Sequence, residues 1–409
     1  MTTQQTIDTT DGGRDWWKRT VEQGERVLAP TYKRPDVLFT KGRGSHLEDA
    51  SGKRYLDMGG GIAVVALGHD SRLVRGAILD ALEQPLHVSN LYHTHSPITL
   101  ASELTSRSFA DRVFFANSGA EAVEAAIKFA RMRGGPERRE IVYFDGSFHG
   151  RTLGALAATD RPEYQAPFAP LPAGYRKLPF GDVQALERIS ASTAAVLVEP
   201  VQGEGGIRVA GDDWLRALRG RCDETGALLV CDEIQCGLGR TGTLWAHEPS
   251  GIRPDLMTLA KPLAAGLPVG VTLMTEEVAS HLRPGCHGTT FGGGPLVTNV
   301  GIHVLRHVDR PEFLASVRER GDQLTARLRA IESDRIVGIR GRGLMVGVKL
   351  DVDPAAVARA AMLRGLLVIP AADRVIRFLP PLNTTEEEVD LAVELFSNVI
   401  LGMVAEGEE

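Results

Sequence analysis

From about residue 113 onward, short apolar runs alternate with stretches that read as helices. The runs cover residues 113–116, 141–144, 194–198, 227–231, 256–260 and 269–274. Strands buried on both faces read as such continuous apolar runs. The alternation predicts an α/β fold with a mostly parallel central sheet flanked by helices.

One helix is specified closely. Ser118-Gly119-Ala120-Glu121 fits the S-x-x-E capping box, and Val123, Ala126, Ile127 and Ala130 follow at i, i+3, i+4, i+7 spacing. Lys128, Arg131 and Arg133 fall in its last turns, where the helix dipole favours cations, and Gly134-Gly135-Pro136 ends it. A second helix is expected from Asp212 or Asp213 to Gly226. Before this region, strand-like pieces run from about Val37 to Asp57 and lead into Gly59-Gly60-Gly61. After about Pro295 the pattern is a helix, a strand-like piece over 341–350, a helix near 355–364, a strand near 375–379 and a last helix from Thr385. That order reads as a smaller α+β unit. The first 25 residues or so are polar and expected to be partly mobile, with Trp16 and Trp17 able to dock.

Composition narrows the function classes. At 409 residues the chain suits one large domain and a smaller one. A formal net charge of −6 offers no basic field for nucleic acid or anionic membrane. Cys222, Cys231, Cys236 and Cys286 form no CxxC pair, and they read as reduced thiols. No basic, apolar leader opens the chain and no run approaches the roughly 20 apolar residues of a membrane span, so a cytoplasmic protein is expected.

In open parallel sheets, ligands bind beyond the carboxyl ends of the strands. The residues after each run are therefore the candidates: Asn117 to Ala120, then Phe148 to Arg151, Glu199 with Gln202-Gly203-Glu204, Asp232-Glu233, and Lys261. A helix N-terminus of small residues offers backbone N–H groups to a phosphate, although Ser118 alone is equally a plain cap. Asp232 fits a metal, a helix cap or a cation, and also a pyridine nitrogen, which a carboxylate keeps protonated so that the ring withdraws electrons. Lys261 alone reads as a surface lysine, but desolvated near a cationic ring it becomes a neutral nucleophile. Phe148 reads as core or as a ring-stacking face. The combined set points to pyridoxal 5'-phosphate chemistry.

Rival readings fail on missing parts. The acidic end of the 227–231 run resembles that of a P-loop ATPase, but the chain has no G-x-x-x-x-G-K-[ST]. Gly341-Arg342-Gly343 is a misspaced dinucleotide fingerprint and reads as a tight β-turn. His93 and His95 lack a third ligand and read as loop histidines, so no metal is expected. A non-enzymatic binding protein would not need a lysine, an acid and an anion site on one sheet edge.

The chain resembles the class III aminotransferases of fold-type-I pyridoxal-phosphate enzymes. The likeness covers roughly residues 30–400 and is carried by eight ordered blocks: GGGIAVVALGH (59–69), FFANSGAEAVEAAIKFAR (114–131), SFHGRTL (147–153), VEPVQGEGGI (198–207), CDEIQCGLGRTG (231–242), LAKPLAAGLPVG (259–270), HGTTFGG (287–293) and VIRFLPPL (375–382). Within the class it is most similar to the acetylornithine branch. Ornithine, succinylornithine, 4-aminobutyrate and acetylated or carrier-bound lysine enzymes share most of these blocks.

The resemblance implies roles residue by residue. Ser118, Gly119 and Ala120 match the phosphate loop, Phe148 the ring-stacking aromatic, Asp232 the pyridinium partner and Gln235 the neighbour of the ring hydroxyl. Lys261 matches the Schiff-base lysine. Thr290 matches a threonine that binds the phosphate in the neighbouring subunit, which implies a homodimer with shared active sites. Arg377 matches the arginine for a substrate α-carboxylate, Arg151 the one for a distal carboxylate, and Glu204 the glutamate that covers Arg377. The implied domains are residues 61–295 as the large cofactor-binding domain and 296–409 as the small domain, to which 1–60 contribute. The implied reaction moves the terminal amino group of N2-acetylornithine to 2-oxoglutarate. Pro262 after Lys261, Ala264-Ala265-Gly266 in place of a glycine-rich turn, and Gly294 and Val123 in place of asparagines depart from the family pattern.

Overall fold

A computed structural model describes residues 16–403. Its centre is a seven-stranded sheet ordered Arg112–Ala116, Gly270–Met274, Leu256–Leu259, Leu228–Asp232, Thr193–Val198, Glu140–Phe144, Tyr175–Leu178. Six strands are parallel; Gly270–Met274 runs antiparallel to both of its neighbours. All six expected runs are strands of this sheet. Every residue of Thr193–Val198, Leu228–Asp232, Leu256–Leu259 and Gly270–Met274 is buried, which is why these segments lack polar alternation. The seventh strand, Tyr175–Leu178, lies at the sheet edge and carries Arg176 and Lys177.

The helix Gly119–Gly134 packs Val123, Ala126, Ile127 and Ala130 into an apolar cluster with the sheet. Its start differs from a full capping box. Ser118 Oγ accepts from Glu121 N at 3.2 Å, but the Glu121 carboxylate turns to Asn117, whose backbone N and Nδ2 both donate to Oε2 at 2.8 Å. The second expected helix, Asp212–Thr225, ends at Gly226 in the left-handed conformation.

A second, four-stranded sheet joins Ile336–Arg342, Met345–Leu350, Val375–Phe378 and Ile369–Ala371. Most of the strand-like piece expected over 341–350 is Met345–Leu350, which pairs antiparallel with Ile336–Arg342 across the tight turn expected at Gly341-Arg342-Gly343, here at Gly343 and Leu344. Helices Pro311–Arg329, Pro354–Leu363 and Glu386–Gly402 share an apolar core with this sheet, and Thr385 forms a complete capping box with Glu388. A third sheet of short strands contains Phe39–Arg43, His46–Asp49 and Arg54–Asp57.

Trp16 and Trp17 are half-buried at the start of the helix Trp16–Val27, while the residues expected to be mobile before them lie outside the described range. His95 opens the helix His95–Ser106 rather than lying in a loop. Cys222, Cys231 and Cys236 are buried, Cys286 is half-buried, and all four are free thiols. Among the described residues no helix is long and apolar enough to cross a membrane.

Candidate active site

The carboxyl ends of the parallel strands converge on a cavity of about 260 Å³. Gly119, Ala120, Phe148, Arg151, Glu204, Asp232, Gln235 and Lys261 line it, so eight of the eleven expected site residues meet there. Asp232 is the last residue of its strand, and Lys261 stands two residues beyond Leu259.

Asp232 is 3% exposed. Its Oδ1 accepts from Ile234 N at 3.1 Å and Thr258 Oγ1 at 3.0 Å, and its Oδ2 lies 2.6 Å from His149 Nδ1. The opposite ring nitrogen of His149 is buried without a hydrogen-bond partner among the described residues. Asp232 is thus fixed in rotation by three groups while still facing the cavity. Glu199 lies beside this pair and accepts from Phe148 N at 2.9 Å and Gly203 N at 3.2 Å. Burial first, and the charge of Asp232 second among the raising influences, push its carboxyl up to about 7. His149 and Glu199 stand among the residues expected beyond the strand ends, with no role assigned to them there; Ile234, two residues past Asp232, is the addition, and no spacing distinguishes it.

Lys261 keeps some accessible surface because it faces the cavity. Protein encloses it elsewhere, and this desolvation lowers its amine below the ordinary value, against the attraction of Glu204, Asp232 and Glu199. A lysine so placed reaches its neutral, nucleophilic form more readily than a surface lysine.

Arg377 comes from the middle of Val375–Phe378 in the second sheet and is 1% exposed. Its Nη1 and Nη2 donate to Glu204 Oε1 and Oε2 at 2.6 and 3.1 Å, a bidentate pair, and Nη1 also reaches Gln235 Oε1 at 3.3 Å. Burial alone would raise the Glu204 carboxyl; the attraction and hydrogen bonds of Arg377 overcome it and hold it below its ordinary value. Gly203 packs against the Gln235 amide, and a side chain there would have to displace it.

Three expected residues do not line the cavity. Arg377 lies behind Glu204, Ser118 spends its Oγ on the cap, and Thr290 is exposed on a surface turn beside Phe291. That turn is latched from within the same chain: Asn90 Nδ2 donates to Thr289 O and Gly292 O at 3.0 and 3.1 Å.

The donor set fits pyridoxal phosphate. Gly119 and Ala120 begin a long helix whose first amides have no intrahelical acceptor, which suits a phosphate. Close approach is built in, because a Cβ on Gly270 would stand 2.1 Å from Ser118 O. Phe148 and Ile234 supply apolar surface for a ring, and Asp232 supplies the buried carboxylate for its nitrogen.

Comparison with known proteins agrees with this chemistry. The profile of the family Aminotransferase class-III matches residues 27–400, and the chain belongs to that family. Its members depend on pyridoxal phosphate and move amino groups, so this chain is a pyridoxal-phosphate-dependent transaminase of fold type I. A mitochondrial acetylornithine aminotransferase of Yarrowia lipolytica is 42% identical over 93% of this chain and 95% of its own. The solved N-acetylornithine aminotransferase of Stenotrophomonas maltophilia is 35% identical, with a TM-score of 0.82 over 94% of this chain and all of its own. The ornithine aminotransferase of Toxoplasma gondii is 30% identical, with a TM-score of 0.91 over 96% of both chains.

Proposed function

We propose that the enzyme takes the terminal amino group of N2-acetylornithine and delivers it to 2-oxoglutarate, forming N-acetylglutamate semialdehyde and glutamate. One observation carries the reading. The Glu204–Arg377 pair is closed, and among the described residues Arg151 is the cavity arginine without a carboxylate partner. A donor whose single carboxylate lies far from the reacting amine then has one arginine to dock on. The two acetylornithine enzymes at 42% and 35% identity, against the ornithine enzyme at 30%, favour the acetylated donor.

Bound pyridoxal phosphate supplies a carbonyl carbon that condenses with amines and a ring that withdraws electrons. The chain supplies the rest. Gly119 and Ala120 amides, with Ser118 fixing the loop, would hold the phosphate. Asp232 would hold the ring nitrogen protonated, Gln235 would serve the ring hydroxyl, and Phe148 would cover a ring face. Lys261 Nζ would be the amine that holds the cofactor through its carbonyl carbon. Its amine, once free, would be placed to take the proton from the amine-bearing carbon of the substrate and then to act as a general acid. In the second half, 2-oxoglutarate brings two carboxylates; Glu204 yields Arg377 to one while Arg151 holds the other.

The reading includes a homodimer in which Thr290 serves the phosphate site of a second copy. Support comes from the exposure of Thr290 together with Leu91, Tyr92 and Phe291, which are 86%, 72% and 68% exposed. The residue spans 61–295 and 296–409 are likewise proposed as the large and small domains, with 1–60 contributing to the small one.

The test is kcat/KM for N2-acetylornithine, N-acetyl-lysine, ornithine and 4-aminobutyrate, each with 2-oxoglutarate. The highest value is expected for N2-acetylornithine. A higher value for acetyl-lysine or ornithine would overturn the donor assignment and leave the transaminase standing.

A further inference from the structure

Arg151 is exposed, and a free arginine loses about 2 kcal/mol of rotamer entropy when it is fixed on a ligand. The structure restricts it beforehand without an acid. Its Cζ stands 3.5 Å from the centroid of the Tyr164 ring and 5.7 Å from that of Phe148. At 3.5 Å the guanidinium is in van der Waals contact over the ring, so the ring occupies one face and leaves N–H groups for a ligand. A carboxylate partner would have consumed those donors; an aromatic face does not.

Tyr164 is itself pinned. It lies in the short turn Pro162–Gln165. Gln165 Nε2 donates to Leu156 O at 3.0 Å and Thr159 O at 2.8 Å. On the other side of Tyr164, Arg161 Nη2 donates to the backbone carbonyl of Glu204. The same turn therefore braces Arg151 through a ring and Glu204, the cover of Arg377, through its backbone.

We propose that Tyr164 is a positioning residue for carboxylate recognition: it holds the Arg151 guanidinium where a donor's distal carboxylate docks, and so sets the reach from that carboxylate to Lys261. The inference rests on the reading of Arg151 as the distal carboxylate site. It makes Tyr164 a determinant of donor length without direct contact with the reacting atoms.

The experiment is a double-mutant cycle on the holoenzyme with N2-acetylornithine as the varied substrate. Tyr164→Leu should raise KM about fivefold to tenfold, the size of a partly desolvated cation–π contact, with kcat within about twofold. Tyr164→Phe keeps the ring face and should stay within about twofold of wild type. In an Arg151→Gln background, Tyr164→Leu should add less than about a twofold effect, because the two residues act as one unit. If Tyr164→Leu does not fold, Tyr164→Met fills similar space without a ring and carries the same expectation. An unchanged KM in Tyr164→Leu beside a raised KM in Arg151→Gln would overturn this inference alone. An effect that persists in full in the Arg151→Gln background would also overturn it, by assigning Tyr164 a purely structural role. An unchanged KM in Arg151→Gln would instead remove the underlying reading of Arg151.

Discussion

Replacing Glu204 by alanine sets two effects against each other. Any substrate α-carboxylate must displace Glu204 before it reaches Arg377, and the pair to be broken is bidentate, at 2.6 and 3.1 Å. Hydrogen bonds to charged groups contribute about 2 kcal/mol net, so the variant should bind glutamate roughly 30-fold more tightly. Stability moves the other way. Arg377 is 1% exposed, and an uncompensated buried charge costs about 3–5 kcal/mol. Glu204 keeps a quarter of its side chain accessible, so water entering the vacated space should hold the loss near 3 kcal/mol. The assay is kcat/KM for glutamate and for N2-acetylornithine, beside thermal melts of both proteins. Glutamate should gain and N2-acetylornithine should lose, because the uncovered Arg377 competes for its carboxylate. An unchanged ratio of the two values would refute Glu204 as the cover of Arg377, whatever the melts showed.

Two further outcomes follow from the same geometry. Folding favours protonated Glu199, whose carboxyl rises from 4.5 to about 7; that stabilisation is complete below about 4.5 and is lost as pH rises through about 7. Glu199→Gln does not titrate, so its Tm minus that of wild type should climb between pH 5 and pH 8, by the equivalent of roughly 3 kcal/mol, and a flat difference would contradict a buried, protonated Glu199. Gly270→Ala places a Cβ 2.1 Å from Ser118 O, which must push the Gly119–Ala120 amides out of place; overpacking of this kind costs about 1–3 kcal/mol, and dialysis should strip pyridoxal phosphate from this variant faster than from wild type.

The polar edge of the sheet is legible because its strands are buried on both faces. Each reads as an apolar run, and whatever polar residue ends the run stands out; Asp232 and Lys261 are found this way. Arg377 has no such signal. It lies in a four-residue strand of another sheet and reaches the site by packing between sheets, so the role proposed for it rests on family likeness rather than on spacing. The His149–Asp232 pair joins two strand ends 83 residues apart, a contact that neither segment encodes alone. Tyr164 sits in a turn with Arg161, Pro162 and Glu163, which reads as ordinary surface until the ring is seen on Arg151. The helix Arg72–Ala81 is a different case. Leu73, Val74, Ala77, Ile78 and Ala81 carry helical spacing, yet it is absent from the elements expected above. The strand Tyr175–Leu178 is four residues long and half polar, too short to stand out from a loop.

The central claim is that Lys261 carries the cofactor, and reduction with borohydride followed by peptide mass mapping tests it most directly. The phosphopyridoxyl mass should appear on the peptide containing Lys261, and Lys261→Ala should abolish it while the protein still folds. A label on another lysine, or retained in full by Lys261→Ala, would contradict the account.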